Sequence, residues 1–197
     1  MNYTEINIDN IKVWLKENLN EERYSHSLGT AECACKLADK YNLDNKKAYL
    51  AGLLHDTAKC FKTDKLLDII NREGFELEEG EIDNYKTLHA PASAIVAQKE
   101  FGINDVEILS AIRWHTIGKL GMSLFDKIIF LADKIEPNTR DKAASEILWK
   151  MLDEENGLDK AILECYKYTI KSLVDRNLKI CIKTIEIYNS LQKNLVK

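Results

Sequence analysis

Proline and glycine are scarce in this sequence, which has two prolines and eight glycines among 197 residues. Short runs that alternate apolar and polar residues, as half-buried β-strands do, are nearly absent. Apolar residues recur instead every three to four positions along almost the whole chain, which is the spacing of an amphipathic helix. We therefore predict an all-α protein, and the length favours one domain with a substantial core.

The sequence also lacks the segments that would direct it to a membrane or to export. No apolar run approaches the roughly 20 residues that span a bilayer, and the first ten residues contain no basic region followed by an apolar one. Basic charge is not in excess either, since the net charge is −4 and the pI is about 5.7. We therefore expect a cytoplasmic protein with neither nucleic acid nor a membrane as its partner.

The five cysteines are an odd number, and no C-x-x-C pair occurs among them. Cys33 and Cys35 are two positions apart, and such positions do not face each other on a helix. In a chain without an export signal we interpret all five as free thiols, most of them buried.

The predicted helices are bounded by residues that commonly cap or stop helices. The expected starts are Thr63, Asn104 or Asp105, and Ser123, while the expected ends are Gly74, Gly102 and Pro137, and Pro91 lies in a first turn. From Leu158 one long helical pattern continues towards the C-terminus, and its apolar stripe is either core or the face of a homodimer. The acidic segment 73–86 is the irregular exception, interpreted as a solvated connection or as a loop beside a site.

Four histidines each lie in or at the end of a different predicted helix: His26, His55, His89 and His115. Any one of them alone would most simply be a histidine that packs in the core. Four helices that each contribute one imidazole are, however, a common way to build a site inside a helical bundle. The four together therefore indicate a metal cluster.

Asp56 stands at the end of the apolar segment AYLAGLLHD, directly after His55. A buried carboxylate is costly unless a positive charge compensates it, and metal ions held by neutral imidazoles carry that charge. The two adjacent side chains point about 100° apart on a helix, so the imidazole can bind one ion while the carboxylate lies between two. Asp133, in another apolar helix, is expected to complete the ligands of the first ion. We interpret Asp126, in the same helix, as a cap-region residue.

This order of residues resembles the HD-domain metal phosphohydrolases that carry a binuclear centre. Five segments are similar to the YqeK-type branch, the bacterial symmetrical bis(5'-nucleosyl)-tetraphosphatases: RYSHSLGTAE, LLHDTAK, LHAPASA, AIRWHTIGK and DKIIFLADKIEPNTR. The resemblance runs from about Arg23 to Arg140. It implies a single HD-domain helical bundle over residues 1–197, with a metal-site core at about 20–140 and C-terminal helices at about 141–197.

The resemblance also implies the ligands of a binuclear centre between the helices. One ion is expected on His26, His55, Asp56 and Asp133, and the other on His89, His115 and the bridging Asp56. It indicates two transition-metal ions, divalent or mixed-valence, with iron as the metal. Manganese, cobalt or zinc would also suit this mixture of imidazole and carboxylate ligands.

The activity that the resemblance implies is the hydrolysis of diadenosine tetraphosphate, and of related dinucleoside polyphosphates, symmetrically to two ADP. Asp56 and Lys59 are the expected catalytic residues. The residues expected to bind the substrate phosphates are Arg23, Lys59, Thr116, Gly118, Lys119, Thr139 and Arg140. Which of Thr139 and Arg140 meets the phosphates stays open, because the PNTR segment departs from the family pattern.

Two other interpretations keep the helical bundle but change the function. An HD-domain nucleotidase or phosphodiesterase would use the same centre on a different nucleotide, and fold analogy does not choose between these substrates. A catalytically inert nucleotide-sensing module is the weaker alternative, because such modules usually lack some of the ligands and here none is missing.

Overall fold

The computed structural model describes residues 3–78, 81 and 84–195 of the chain. Ten α-helices have defined bounds within these residues and no β-strand occurs there, which confirms the predicted all-α fold. The helices are α1 (Ile8–Asn18), α2 (Glu21–Lys40), α3 (Asn45–Leu54), α4 (Thr63–Arg72), α5 (His89–Phe101), α6 (Val106–Trp114), α7 (Leu124–Ile135), α8 (Lys142–Met151), α9 (Gly157–Asp175) and α10 (Ile182–Leu195). None of these described helices is long and apolar enough to pass through a lipid bilayer.

Small residues allow α2 and α3 to pack closely. Gly52 of α3 lies against the backbone of α2, where a Cβ atom in its place would come within 2.8 Å of the Ala31 Cα. Alanines line both sides of this contact and are fully buried: Ala31, Ala34, Ala38, Ala48 and Ala51. The close approach places the second turn of α2, which contains His26, beside the C-terminal end of α3.

One large cluster of buried apolar side chains joins α2 and α3 to α6, α7 and α9. A smaller second cluster packs α5 against α4 and the turn that follows α3. Burial of these apolar faces, rather than helix propensity alone, stabilises helices of nine to twelve residues such as α3, α6 and α7. That residues 1–197 form one domain stays a prediction.

Most of the predicted helix boundaries are confirmed. Ser123 caps α7 in a reciprocal capping box, and the side chain of Asp105 accepts hydrogen bonds from the first backbone N–H groups of α6. Gly74 and Gly102, at the ends of α4 and α5, have the left-handed backbone that glycine favours, with φ of 60° and 68°. Thr63 was expected to cap α4 but is its first residue, because the residue before it has the extended cap conformation.

The prediction of a single long C-terminal helix is wrong, because the chain turns between α9 and α10. Asn177 adopts a left-handed conformation with φ of 52°, which asparagine tolerates better than most residues. The N–H of Leu178 donates to the carbonyl of Leu173 at 2.8 Å, and the N–H of Asn177 donates to that of Val174 at 2.9 Å. This pair of hydrogen bonds is a Schellman motif that ends α9.

The apolar stripe of these two helices is only partly core. Leu191 is buried, whereas 57% of the Val174 surface is exposed. The homodimer suggested for this stripe stays a prediction.

The acidic segment 73–86 is not simply a solvated connection, because Glu81 is fully buried. Its carboxylate forms a bidentate ion pair with the guanidinium of Arg113 in α6, which is 5% exposed. The guanidinium carbon also lies 4.2 Å from the ring centroid of Trp114 and 5.1 Å from that of Phe75. Residues 79, 80, 82 and 83 lie outside the described residues, but Glu81 fixes the segment to α6 just before His115.

The buried pair predicts a large loss of stability for Glu81→Gln. Removal of one partner leaves the Arg113 guanidinium buried and unpaired, so the free energy of unfolding should fall by about 3 kcal/mol. Glu73→Gln is the matched control, since Glu73 pairs with Lys99 at the surface and should change stability by less than about 0.5 kcal/mol. Urea unfolding of the two variants measures both values, and equal losses would contradict the assignment.

Candidate metal centre

The four histidines converge on one buried place between the helices. His26 lies in α2, His55 and His115 directly follow α3 and α6, and His89 is the first residue of α5. The Nε2 atoms of His26 and His55 are 3.2 Å apart, and those of His89 and His115 are also 3.2 Å apart. Each of the four residues is at most 2% exposed. The sequence prediction that these residues lie together is therefore consistent with the fold.

The outer nitrogens of three histidines hydrogen-bond to backbone carbonyls. The Nδ1 atoms of His55, His89 and His115 lie 2.6, 2.8 and 2.7 Å from the carbonyl oxygens of Gly52, Lys86 and Ile112. A carbonyl only accepts hydrogen bonds, so each Nδ1 carries the proton and each Nε2 presents a lone pair to the cluster. Each acceptor is three residues earlier in the chain, where the last turn of a helix leaves carbonyls without partners. Such bonds are the usual support of metal-binding histidines.

Asp56 lies between the two pairs of histidines. Its Oδ1 atom is 3.1 Å from Nε2 of His89 and 3.4 Å from Nε2 of His115. Its Oδ2 atom is 3.7 Å from Nε2 of His55 and 3.9 Å from Nε2 of His26. Although Oδ1 is buried, it has no hydrogen-bond partner among the described residues. One carboxylate oxygen thus faces each pair, as a bridging ligand requires.

Asp133 closes the cluster on the side of His26. Its Oδ1 atom is 3.0 Å from Nε2 of His26 and 3.8 Å from Nε2 of His55. Its other oxygen forms an ion pair with the ammonium of Lys134, a residue that the sequence analysis did not single out. Asp133 therefore lies where the resemblance expects a ligand of the first ion.

Glu136 is a second residue that the sequence analysis missed. It is fully buried, and its Oε1 atom lies 3.0 Å from Nδ1 of His26, so it takes the part that a backbone carbonyl takes for the other histidines. Gly29 makes room for it, since a Cβ there would come within 2.3 Å of the Glu136 carboxylate. The sequence feature that could have identified Glu136 is its spacing, because it follows the expected ligand Asp133 by three residues and so continues the same helix face.

Burial, hydrogen bonds and neighbouring charges together set the protonation of the cluster. It lowers the pKa of His55 to about 3 and also lowers the pKa of His89, so both imidazoles are neutral near pH 7. Burial would raise the pKa of Asp56, but in acid, where His55 and His89 gain a proton, their positive charge outweighs burial and holds that pKa well below its usual value. For His26, burial is outweighed by hydrogen bonds to Asp133 and Glu136, and its pKa is raised.

The spacing of the histidine nitrogens and of the Asp56 carboxylate suits the binding of metal ions. Two nitrogens each about 2.1 Å from one ion are roughly 3.0–3.4 Å apart, which agrees with the 3.2 Å separation within each histidine pair. The two sets His26–His55–Asp56 and Asp56–His89–His115 each bring one ligand atom per residue within 4.8 Å of the others. A divalent metal would also satisfy the free Oδ1 atom of Asp56 and balance its charge.

Three residues predicted to bind phosphate lie at the edge of the cluster. The Lys59 ammonium is 3.0 Å from Nε2 of His89, and burial lowers its pKa. The Thr116 hydroxyl is 3.0 Å from Nε2 of His115. The Arg23 guanidinium is 3.5 Å from Oδ2 of Asp56. These contacts bring a hydroxyl and two cations to the edge of the cluster, and their phosphate-binding roles stay predictions.

Thr139 and Arg140 lie beside His26 and Asp133, whereas Lys59 lies beside His89. The Thr139 hydroxyl donates to Glu136 and lies 3.1 Å from Nδ1 of His26. The Arg140 guanidinium donates to the Asp133 carboxylate at 2.6 Å and to its backbone carbonyl at 2.7 Å. Arg140 thus extends from an expected ligand, with 34% of its side chain exposed, whereas Thr139 supports His26.

The structure does not bring Gly118 and Lys119 to the cluster. The N–H of Gly118 donates to the carbonyl of Trp114 at 2.8 Å, so a phosphate would have to compete for it. Its φ of 74° and the adjacent Tyr166 hydroxyl explain why the position is glycine. The Lys119 ammonium contacts Ser110 at 2.8 Å and Asp126 at 3.1 Å. Their phosphate-binding roles stay predictions, without support from these contacts.

Comparison with known proteins relates this chain to proteins with an HD domain. A family model described as HD domain matches residues 23–138. A protein of Staphylococcus aureus named "Bis(5'-nucleosyl)-tetraphosphatase, symmetrical" is 38% identical over 93% of this chain and 94% of its own length. A Bacillus subtilis protein of the same name is 36% identical over 90% of this chain and 93% of its own. A crystal structure of a "predicted HD superfamily hydrolase involved in NAD metabolism" from Clostridium acetobutylicum is 42% identical, with a TM-score of 0.88 over 95% of this chain and 98% of that one.

Asp56→Ala should reduce the metal content of the purified protein strongly, because one substitution removes an expected ligand from both ions. Asp126→Ala is the matched control. Asp126 is equally buried, but it belongs to the capping box of α7 and accepts a hydrogen bond from Ser110 at 2.7 Å. This variant should keep its metal but lose about 2 kcal/mol of stability, because it removes the helix cap, the hydrogen bond from Ser110 and the ion pair with Lys119. Metal analysis together with thermal unfolding tests both, and equal metal contents would refute the bridging role.

Proposed function

The chain belongs to the HD domain family, and from that premise we propose that it hydrolyses diadenosine tetraphosphate symmetrically into two molecules of ADP. The observation that carries this proposal is the position of the Asp56 carboxylate, with one oxygen towards each pair of histidines. Relatives that match over at least 90% of this chain are named for this reaction. The substrate class extends to related dinucleoside polyphosphates.

We further propose that the centre holds two transition-metal ions. His26, His55, Asp56 and Asp133 would bind one, and Asp56, His89 and His115 the other. Imidazoles and carboxylates together suit iron, manganese, cobalt or zinc, and we propose iron from the family resemblance. When bound, such a pair of ions lowers the pKa of a coordinated water and stabilises the charge on a phosphoryl oxygen.

The chain's own residues orient the phosphates and compensate their charge. Phosphoryl transfer needs mainly positioning and charge stabilisation. Lys59, Arg23 and Arg140 surround the cluster, each with about a third of its side chain exposed. They are therefore reachable from solvent on one side while they contact Asp56, His89 or Asp133 on the other. Thr116 adds a hydroxyl that can donate to a phosphate oxygen once a metal occupies the histidine lone pairs.

The distribution of these cations favours cleavage at the middle of the tetraphosphate. Lys59 lies on the side of His89, and Arg140 lies on the side of Asp133 and His26. A chain of four phosphates that contacts both cations places its central anhydride over Asp56. A water oxygen that attacks one of the two inner phosphorus atoms breaks the central P–O bond and displaces one nucleoside diphosphate. The attacked half, which keeps the water oxygen, becomes the second nucleoside diphosphate, and a proton is released.

Product analysis tests this function. The metal-loaded enzyme should convert diadenosine tetraphosphate to ADP alone, because both inner phosphates lie over the centre. Ion-exchange chromatography of an early time point measures the products before secondary hydrolysis changes their ratio. ATP and AMP in equal amounts would contradict symmetric cleavage. No turnover, alongside rapid release of phosphate from a nucleoside monophosphate, would favour the nucleotidase interpretation.

A further inference from the structure

Two cavities border different parts of the cluster. The first, which we name the α8–α9 cavity, has a volume of about 630 Å³, and Lys134 and Arg140 form its inner wall. The second, which we name the α4–α5 cavity, has a volume of about 330 Å³, and Lys59 and His89 form its inner wall. Both volumes lie in the range of small-molecule sites.

The two inner walls belong to opposite ends of the cluster. Lys134 and Arg140 contact Asp133, which lies beside His26. His89 is itself a wall residue of the α4–α5 cavity, and Lys59 contacts its ring. Asp56 lies between the two histidine pairs, and therefore between the residues that line the two cavities.

Each cavity presents aromatic and apolar surface beyond its cations. The outer wall of the α8–α9 cavity includes Leu148 and Tyr168, and 77% of the Tyr168 surface is exposed. The outer wall of the α4–α5 cavity includes Phe61 and Tyr85, and 57% of the Tyr85 surface is exposed. An exposed aromatic ring is a surface on which a nucleobase can stack. From the cluster outwards, both cavities thus run from cations to an aromatic side chain, the order in which a nucleotide places its phosphates and its base.

We propose that the α8–α9 and α4–α5 cavities each bind one nucleoside of the same dinucleoside polyphosphate, with Tyr168 and Tyr85 as the stacking residues. This inference rests on the proposed function and deepens it, because it assigns both ends of the substrate. It explains the choice of a substrate with two nucleosides, since a ligand with one nucleoside leaves one aromatic wall empty. It also places the tetraphosphate so that its middle lies over Asp56.

Binding of analogues that are not hydrolysed tests the inference separately from the reaction. The first probe is diadenosine tetraphosphate with a methylene group in place of the central bridging oxygen. The second is adenosine tetraphosphate with the same methylene bridge, which carries one nucleoside. Both are titrated calorimetrically into metal-loaded wild type, Tyr168→Ala, Tyr85→Ala and the control Phe75→Ala. Phe75 is a partly exposed aromatic residue in a third cavity, beside Arg113, which includes none of the expected metal ligands.

Tyr168→Ala and Tyr85→Ala should each weaken binding of the two-nucleoside probe about tenfold, and at least one of them should leave the one-nucleoside probe within about twofold of wild type. Phe75→Ala should leave the binding of both probes unchanged. Unchanged binding of the two-nucleoside probe in either tyrosine variant would overturn the proposal, as would equal losses for both probes in both variants. The ADP product pattern of the wild type remains an independent test of the proposed function.

Discussion

Four helices of the bundle bring imidazoles to one buried carboxylate, that of Asp56. It is 2% exposed and surrounded by four imidazoles, and its Oδ1 atom has no hydrogen-bond partner among the described residues. Such a group is stable only if positive charge compensates it. Two metal ions, one on each side of the carboxylate, would supply that charge. The carboxylate would in turn hold the ions close enough to act on one phosphate chain.

The fold supplies the supports that this arrangement needs. Three of the four histidines donate their outer N–H to a carbonyl three residues earlier, so helix ends and a short turn fix the rings in place. His26 lies within a helix, where carbonyls are already bonded, and Glu136 serves as its acceptor instead. Gly29 and Gly52 allow Glu136 and α3 to come close to α2. The two glycines thus allow the close packing that orients the histidines.

Sequence reasoning anticipated the helices, because these depend on local patterns, and the fold brings the residues that the resemblance names as ligands to one buried place. An aspartate such as Asp133 inside an apolar helix is costly enough to be noticed in the sequence alone. Glu136 was missed because an acid before Pro137 looks like an exposed helix end. The Glu81–Arg113 pair was missed because Glu81 lies in an irregular acidic segment, far along the chain from Arg113, and only the tertiary fold buries them together. The end of α9 was missed because Asn177 interrupts neither the apolar spacing nor the charge pattern.

The central claim is that Asp56 separates two metal ions within the cluster. Anomalous X-ray diffraction from crystals grown without oxygen in the presence of iron tests it most directly. Two peaks are expected about 3.5–4 Å apart, one beside His26 and His55 and the other beside His89 and His115, with the Asp56 carboxylate between them. A single peak, or no peak among these residues, would contradict it.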